Sequence, residues 1–255
     1  MIWLVWSGRN SLSLPLRSTQ TKGANLNMKI LQVLTSSLFI AAAAFAQSPE
    51  KTKSAESASF PPIRDIHAHV CGIHFYSGDM SRQIIAEHYC SPQPQDVLQC
   101  VIYDSNKPGA RLIGIEYIVS AKIFETLSPE EKKLWHSHNY EVKSGVLTAP
   151  DMPDAAEKDL VKALIGTYGK TWHTWQVDRG DKLPLGIPQL MMAFTADGQA
   201  KANIIAERDK LYTPSATKKA ARADIPDFKV DTGADSWQKG QALQLDLKTV
   251  SVATR

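Results

Sequence analysis

The clearest hydrophobic pattern in this chain is a pair of apolar runs on either side of a turn. Val97–Tyr103 is a short run rich in β-branched and aromatic residues, and residues 111–120 form a longer one that reads RLIGIEYIVS. Between them, residues 104–109 contain the Asp, Asn, Pro and Gly that are typical of turns. Two such runs around a turn predict an antiparallel hairpin. A third apolar run, residues 84–90, precedes the hairpin and is also typical of a strand.

Two segments downstream of the hairpin carry the signals of helices. Residues 128–131 read Ser-Pro-Glu-Glu, a capping box with proline at the first helical position, which predicts that a short helix begins here. Residues 153–169 predict a longer helix with Gly169 at its C-cap. The apolar face of this longer helix comprises Leu160, Val161, Leu164, Ile165 and Tyr168.

The remaining periodic segments are two apolar runs and a final helix. Residues 172–177 read WHTWQV, which is typical of a strand, and residues 189–194 are continuously apolar. Residues 199–211 predict a helix whose inward side chains are Ala202, Ile205 and Leu211. Because strand-like runs follow one another closely and helices come in separate groups, the pattern favours α+β over parallel α/β. We therefore expect a single domain over residues 60–212, a mainly antiparallel sheet with packed helices.

The region after Tyr212 loses this periodicity. Residues 213–240 are rich in Pro, Ala, Lys and Asp, which predicts a peripheral or disordered tail over 213–255. Within it, the alternating Leu243, Leu245 and Leu247 predict one late edge strand.

The N-terminal residues have the pattern of an export signal. Residues 28–46 combine the basic Lys29, an apolar core and the cleavage pattern Ala44-Phe45-Ala46. A polar linker follows at 47–59, and residues 1–27 are predicted to be an upstream extension, with Met28 as the start; a long leader from Met1 is the alternative. The mature chain is expected in the periplasm or outside the cell.

The charge of the mature chain argues against one class of partner. Cleavage after Ala46 removes four of the 29 basic residues and none of the 26 acidic ones, so the formal net charge changes from +3 to −1. A near-neutral chain without a basic stripe excludes nucleic acid on electrostatic grounds. No apolar run long enough to span a membrane follows the signal, so no transmembrane segment is expected in the mature chain.

Three cysteines form an odd set for an exported protein. Cys90 and Cys100 flank the turn-rich residues 91–95, and we expect them to form a disulfide, with Cys71 as a free thiol. A nucleophilic Cys71 or Cys90 beside a histidine is a weaker alternative, because nothing in the sequence indicates an activated thiol.

The densest group of chemically active residues is His136-Ser137-His138. On a strand the two imidazoles point to the same face, whereas on a helix they diverge by about 200°. We expect an extended segment that aims both at one point, with Tyr140 continuing the same face. Imidazoles together with a carboxylate are ligands that suit zinc or a similar divalent ion.

The second feature of this kind is Glu116, a carboxylate in the middle of the apolar run 111–120. A buried carboxylate needs a partner, so an ion pair or a solvent-exposed position is the first interpretation and a metal ligand the second. The stretch around His67, His69 and His74 fits either a strand or a helix. The candidate metal ligands are His136, His138, Glu116, His74, His88 and His173.

Four blocks of the chain resemble the oil body-associated proteins, the family also known as DUF1264. The blocks lie in order between Ile66 and Met192 and read HVCGIHFYSGDMSRQIIAEHYCS, RLIGIEYIVS, LSPEEKKLWHSHNYEVKSGVLTAP and TYGKTWHTWQVDRGDKLPLGIPQLMM. The resemblance implies association with seed oil bodies for plant members and assigns no catalytic activity or residue role. An apparent export signal departs from the cytosolic plant members, so the oil-body location is not carried over.

Two functions follow as hypotheses. The first is a non-enzymatic domain that associates with a lipid, a membrane surface or another ligand, which rests mainly on the resemblance. The alternative is a protein that binds a divalent metal such as zinc through the histidine cluster, with metal-dependent hydrolysis as the simplest chemistry for such a site.

Overall fold

The computed structural model describes residues 60–253, and the predicted upstream extension, signal peptide and linker lie outside them. In this part of the chain there are seven strands. They are β1 (Ala68–Tyr76), β2 (Asp79–Gln93), β3 (Val97–Tyr103), β4 (Leu112–Ser120), β5 (His136–Ser137), β6 (Thr167–His173) and β7 (Gln189–Met192).

All strand pairings are antiparallel, and the sheet closes on itself. The order is β4-β3-β2-β1-β7-β6-β5, and β4 also pairs with β6 from Gly114 to Ser120. Six strands therefore form a closed barrel, and the two-residue β5 pairs with β6 beyond the ring. The expected mainly antiparallel sheet is confirmed; its closure into a barrel was not expected from the strand pattern.

Short helices accompany the barrel, and none of those in residues 60–253 is long and apolar enough to cross a membrane. The predicted helix start is confirmed, because the backbone N–H of Glu131 donates to the Ser128 hydroxyl, whereas the Glu131 carboxylate accepts from Trp135 and Lys170 instead of completing the capping box. The helices are α1 (Pro61–Arg64), α2 (Ala121–Glu125), α3 (Pro129–Lys132), α4 (Asn139–Ser144), α5 (Asp154–Leu164), α6 (Ala202–Leu211) and α7 (Ser215–Ala221).

The predicted hairpin and disulfide are both present. β3 and β4 pair from Val97 to Tyr103, so the turn at 104–109 joins them as expected. Cys90 lies directly opposite Cys100 in the β2–β3 pairing, and the two form a disulfide.

The helix predicted over 153–169 ends earlier than expected. α5 stops at Leu164, and Tyr168 and Gly169 belong to β6, which pairs with both β4 and β5. Long-range pairing thus overrides a helix-like local pattern. In α6 the predicted inward Ile205 packs half-buried against the core, but the fully buried side chains are Ile204 and Arg208, and the predicted Ala202 and Leu211 are exposed, because the helix is rotated relative to the expected face.

The predicted tail differs most from the structure. Residues 215–221 form α7, and the side chains of Lys218, Arg222, Ile225 and Asp235 are buried against the rest of the protein. Leu243, Leu245 and Leu247 are exposed and belong to no strand, so the predicted edge strand is wrong. The sequence pattern did not reveal that this tail is packed, because Lys218, Arg222 and Asp235 are held by hydrogen bonds and ion pairs rather than by an apolar face.

The interior of the barrel is layered along each strand. Alternate residues of β2 run from Ile84 and Ala86 in one apolar layer, through His88, to Cys90 in a second apolar layer. β1 and β4 place His74 and Glu116 at the same middle level. A polar layer is therefore enclosed between two apolar ones.

A buried charge network ties the C-terminal residues to this fold. Arg222 donates to Glu157 at 3.0 Å and to the carbonyl oxygens of Val142 and Leu147 at 2.9 Å each. Glu157 also accepts from the Thr148 hydroxyl at 2.6 Å and pairs with Lys218. Removing one partner of a buried network leaves the others without compensation.

We predict that Arg222→Ala lowers the free energy of unfolding by about 3 kcal/mol, because Glu157 loses one of its two cationic partners and two buried carbonyl oxygens lose a donor. Urea denaturation followed by circular dichroism measures this. Lys219→Ala is the matched control, since Lys219 is exposed and pairs only with Asp197, and its loss should cost less than about 1 kcal/mol. Equal costs for the two variants would contradict the network.

Candidate metal centre

The middle layer of the barrel is centred on Glu116. This residue shares its strand face with Gly114 and Ile118, points into the barrel, and is only 3% exposed. The first interpretation, an ion pair or a solvent-exposed carboxylate, was therefore wrong about exposure. No Lys or Arg among the described residues pairs with Glu116, and its close polar neighbours are imidazoles.

Four imidazoles divide between the two carboxylate oxygens of Glu116. Oε2 lies 2.8 Å from His88 Nε2 and 3.7 Å from His74 Nε2. Oε1 lies 3.3 Å from His138 Nε2 and 3.4 Å from His136 Nε2. His173 stands behind His74, with its Nε2 3.4 Å from His74 Nδ1.

The structure thus brings all six predicted candidates into one buried cluster. They come from five places in the fold: β1, β2, β4, β6 and the segment from β5 to the start of α4. Two triads have donor atoms that all lie within 4.8 Å of one another: His74 with Glu116 and His136, and His136 with His138 and Glu141.

Glu141 is the functional residue that the sequence interpretation missed. It was missed because the segment was expected to stay extended through Tyr140, whereas the strand ends at Ser137 and α4 begins at Asn139. His138 caps this helix with φ −94° and ψ −1°, so the expected extended pair is wrong at its second member. The helical turn brings Glu141 to the same side as His138. Residues three apart share a helix face, so this spacing in the sequence could have identified Glu141 as a candidate ligand.

Two of the imidazoles have their tautomer set by hydrogen bonds on the far side of the ring. His88 Nδ1 faces the carbonyl oxygens of Val70 at 3.2 Å and Ala86 at 3.1 Å, so this nitrogen carries a proton and donates. His138 Nδ1 faces the Thr167 hydroxyl at 2.7 Å, and that hydroxyl already donates to the Leu164 carbonyl. A neutral His88 or His138 therefore turns the lone pair of Nε2 towards the Glu116 carboxylate.

Several buried nitrogens of the cluster have no hydrogen-bond partner within residues 60–253. These are both ring nitrogens of His136, Nδ1 of His173, and Nε2 of His88, whose 2.8 Å contact with Glu116 is close but poorly aligned. Buried polar groups are normally paired, and each exception calls for an explanation such as an absent ion.

The electrostatics follow from this enclosure. Burial alone would raise the pKa of Glu116, but contacts with His136, His138 and His88 hold that pKa well below its usual value. Burial and the nearby charge of His88 lower the pKa of His173 to about 3 and that of His74 well below its usual value. His74 and His173 are therefore neutral imidazoles, the form that binds metals.

A carboxylate from the predicted tail holds β5 in place. Asp235 accepts from the backbone N–H of Ser137 at 3.0 Å and from its hydroxyl at 2.7 Å. Asp235 itself has the left-handed φ of 51°, and its N–H donates to the Trp135 carbonyl. These bonds fix the backbone on both sides of His136.

The other candidate residues lie elsewhere. His69 sits on the outer face of β1, between Glu87 and Asp151 at 2.9 and 2.7 Å. Cys71 is fully buried, and burial raises the pKa of its thiol well above the usual value, so it is not an activated nucleophile.

Comparisons with known proteins agree on one family. The family model described as "Protein of unknown function (DUF1264)" matches residues 60–226. Oil body-associated protein 1B of Arabidopsis thaliana is 46% identical over 198 residues, which covers 75% of this chain and 82% of that protein. Oil body-associated protein 2B of Zea mays is 43% identical over 193 residues, covering 73% and 77%. No solved structure matches.

The space for the cluster depends on a glycine in β6. A Cβ on Gly169 would lie 2.0 Å from Glu116 Oε1 and 2.7 Å from His136 Nε2, far inside contact distance. A Cβ on Gly72, also in a strand beside the cluster, would meet Glu141 Oε1 at an ordinary 3.4 Å.

We predict that Gly169→Ala costs about 1–3 kcal/mol of stability and displaces the Glu116 and His136 side chains, because the added methyl overpacks the site. Thermal unfolding and the NMR signals of the imidazoles measure the two effects. Gly72→Ala should leave both nearly unchanged. A Gly169→Ala protein with native stability and unshifted imidazole signals would contradict this geometry.

Proposed function

The chain belongs to the DUF1264 family, whose description assigns no activity, and we propose from its central cluster that it binds a divalent transition metal ion. The ion lies beside Glu116, held by that carboxylate and the surrounding imidazoles. His74, Glu116 and His136 form the first donor group, and His136, His138 and Glu141 the second. Imidazole nitrogen and carboxylate oxygen without thiolate suit zinc, and also iron, manganese or nickel.

One observation carries the proposal: Nδ1 of both His88 and His138 faces an acceptor on the far side of the ring, so the Nε2 atoms face the Glu116 carboxylate at 2.8 and 3.3 Å. In a neutral ring each of these Nε2 atoms is an acceptor that faces another acceptor, and the two repel each other unless a cation or a proton lies between them. Metal-bound histidines commonly donate their other ring N–H to a backbone carbonyl or another acceptor, as His88 and His138 do here.

The separations also suit an ion. A metal about 2.0–2.2 Å from each nitrogen and oxygen donor holds those donors roughly 3–3.5 Å apart. The four distances from Glu116 to its imidazoles, 2.8 to 3.7 Å, span this interval. Only small side-chain shifts are needed to close the cluster on an ion.

A proton is the alternative to the metal. His88 and His136 have raised pKa values, because the Glu116 carboxylate outweighs the lowering effect of their burial. In that case imidazolium ions compensate Glu116 and the cluster is a purely structural network. Metal content separates the two interpretations.

We predict that the protein, incubated with Zn²⁺, Fe²⁺ or Mn²⁺ and then desalted, retains about one equivalent of one ion by inductively coupled plasma mass spectrometry. His136→Ala should reduce retention at least tenfold, because His136 belongs to both donor groups. Even residues that only hold a metal ligand in place typically change metal affinity by about 10–100-fold when they are mutated. The bound ion should also raise the unfolding temperature of the wild type.

His69→Ala is the matched control, a buried histidine beside carboxylates but outside the cluster. It should retain the ion at the wild-type level, and circular dichroism verifies that both variants fold. A wild-type protein that retains no ion from this panel would refute the proposal.

A second candidate function, association with a lipid surface, is favoured by one surface of the barrel. Phe60 and Ile63 at α1 and Ile115 and Tyr117 on the outer face of β4 are exposed, and three of them, Ile63, Ile115 and Tyr117, line one shallow cleft. The relatives are called oil body-associated proteins, which points to lipid as the partner for this face.

We predict that the protein floats with triacylglycerol droplets coated with phosphatidylcholine, and that Ile63→Asp with Tyr117→Asp abolishes flotation, because charges on the apolar face oppose insertion. Leu183→Asp with Leu185→Asp, which changes two exposed leucines of a distant loop, should float normally. Equal flotation of both double variants would exclude this surface.

A further inference from the structure

A narrow cavity connects the cluster with the surface of the barrel. It has a volume of about 30 Å³, two to three times what the centre of one water requires. His74, His88, Glu116, His138 and Glu141 line one end. The half-buried Ala68, Leu98 and Leu160 line the other end, so the mouth lies between β1, β3 and α5.

The walls between the two ends are aliphatic. Val70, Ile118, Leu147 and Leu164 line them together with Cys90 of the disulfide, and the lining set contains no Phe, Tyr or Trp and no Lys or Arg. Branched aliphatic walls without a flat ring surface or a hydrogen-bonding group fit an alkyl chain better than an aromatic or sugar.

The dimensions restrict the occupant further. The volume of the cavity is about a fifth of the roughly 150 Å³ of an apolar cavity that binds benzene, so it excludes a ring and accommodates only one or two carbon atoms of a chain. Because the mouth is bounded by half-buried leucines, a longer chain can continue outwards past Leu98 and Leu160. The only polar groups that a bound molecule meets are those of the cluster, so its polar atoms belong at the inner end.

We infer that the cavity binds a straight-chain aliphatic carboxylic acid, with its carboxylate on the metal ion and its first carbons between the aliphatic walls. This inference rests on the proposed metal site and names the ligand class of that site. Carboxylate oxygen is a preferred ligand for zinc and related ions, and each buried methylene adds apolar contact. A free short-chain acid and the acyl group of a lipid share this chemistry.

The test is calorimetric titration of the metal-loaded protein with butanoate, hexanoate, octanoate and benzoate. Affinity should rise about fourfold for each methylene that enters the cavity and then level off, and benzoate should bind at least tenfold more weakly than hexanoate. A plateau within this series indicates a free short-chain acid as the ligand. A continued rise with dodecanoate indicates an acyl chain that runs past the mouth.

Leu160→Trp places a bulky ring at the mouth without changing any donor residue, and should weaken hexanoate binding at least tenfold while the metal content stays unchanged. Leu211→Trp is the control, an exposed leucine on α6 outside the cavity. Binding without chain-length dependence, or wild-type hexanoate affinity in Leu160→Trp, overturns the inference.

Metal content measured on the same samples keeps the two proposals apart. A protein that retains its ion but binds none of the acids overturns the inference about the cavity and leaves the metal site standing. A protein without an ion overturns the proposed function itself.

Discussion

The structure depends on the burial of one carboxylate. Moving an ionised Glu116 from water into the middle of a barrel costs several kcal/mol unless cationic or hydrogen-bonding groups surround it. The fold supplies four imidazoles around its two oxygens and a glycine opposite, and it gives two of the imidazoles acceptors on their far sides. A protein that needed only stability would fill this layer with aliphatic side chains, as it does in the layers above and below. The polar layer is therefore best understood as a site.

Closure of the sheet is what makes this layer possible. Pairing of β4 with β6 places Glu116 opposite Thr171 and Gly169 opposite Ile118, so donors from distant parts of the chain face one interior. A closed sheet also leaves no free edge in the ring. Among the helices, α4 contributes Glu141 to the cluster and has His138 as its N-cap. α5 packs Val161 and Leu164 against inward-facing residues at one end of the barrel, and its Glu157 forms a second buried polar group with Arg222 and Lys218.

Local signals made part of this predictable. The hairpin of β3 and β4, the cap at Ser128 and the Cys90–Cys100 disulfide depend on residues near one another in the chain, and each was expected. The six candidate ligands were selected by residue type, and the structure brings them together, but no sequence pattern gave their arrangement. Gly169 was interpreted as a helix cap. The feature that requires glycine there, its close contact with Glu116, involves a strand more than 50 residues away and leaves no local signal. Asp235 was assigned to a tail because a single carboxylate that holds a distant strand produces no repeating pattern of apolar and polar residues.

The bonds from Asp235 to Ser137 also bear on the order in which the protein assembles. The candidate ligands extend from His74 to His173, and the backbone next to His136 is fixed by Asp235, 98 positions after Ser137. During synthesis on a ribosome, every donor is complete in sequence before the residue that positions the central one has appeared. Such long sequence separations slow folding. Completion of the cluster is thus a late event, and a chain interrupted before Asp235 carries all six candidate ligands without the carboxylate that holds β5 in place.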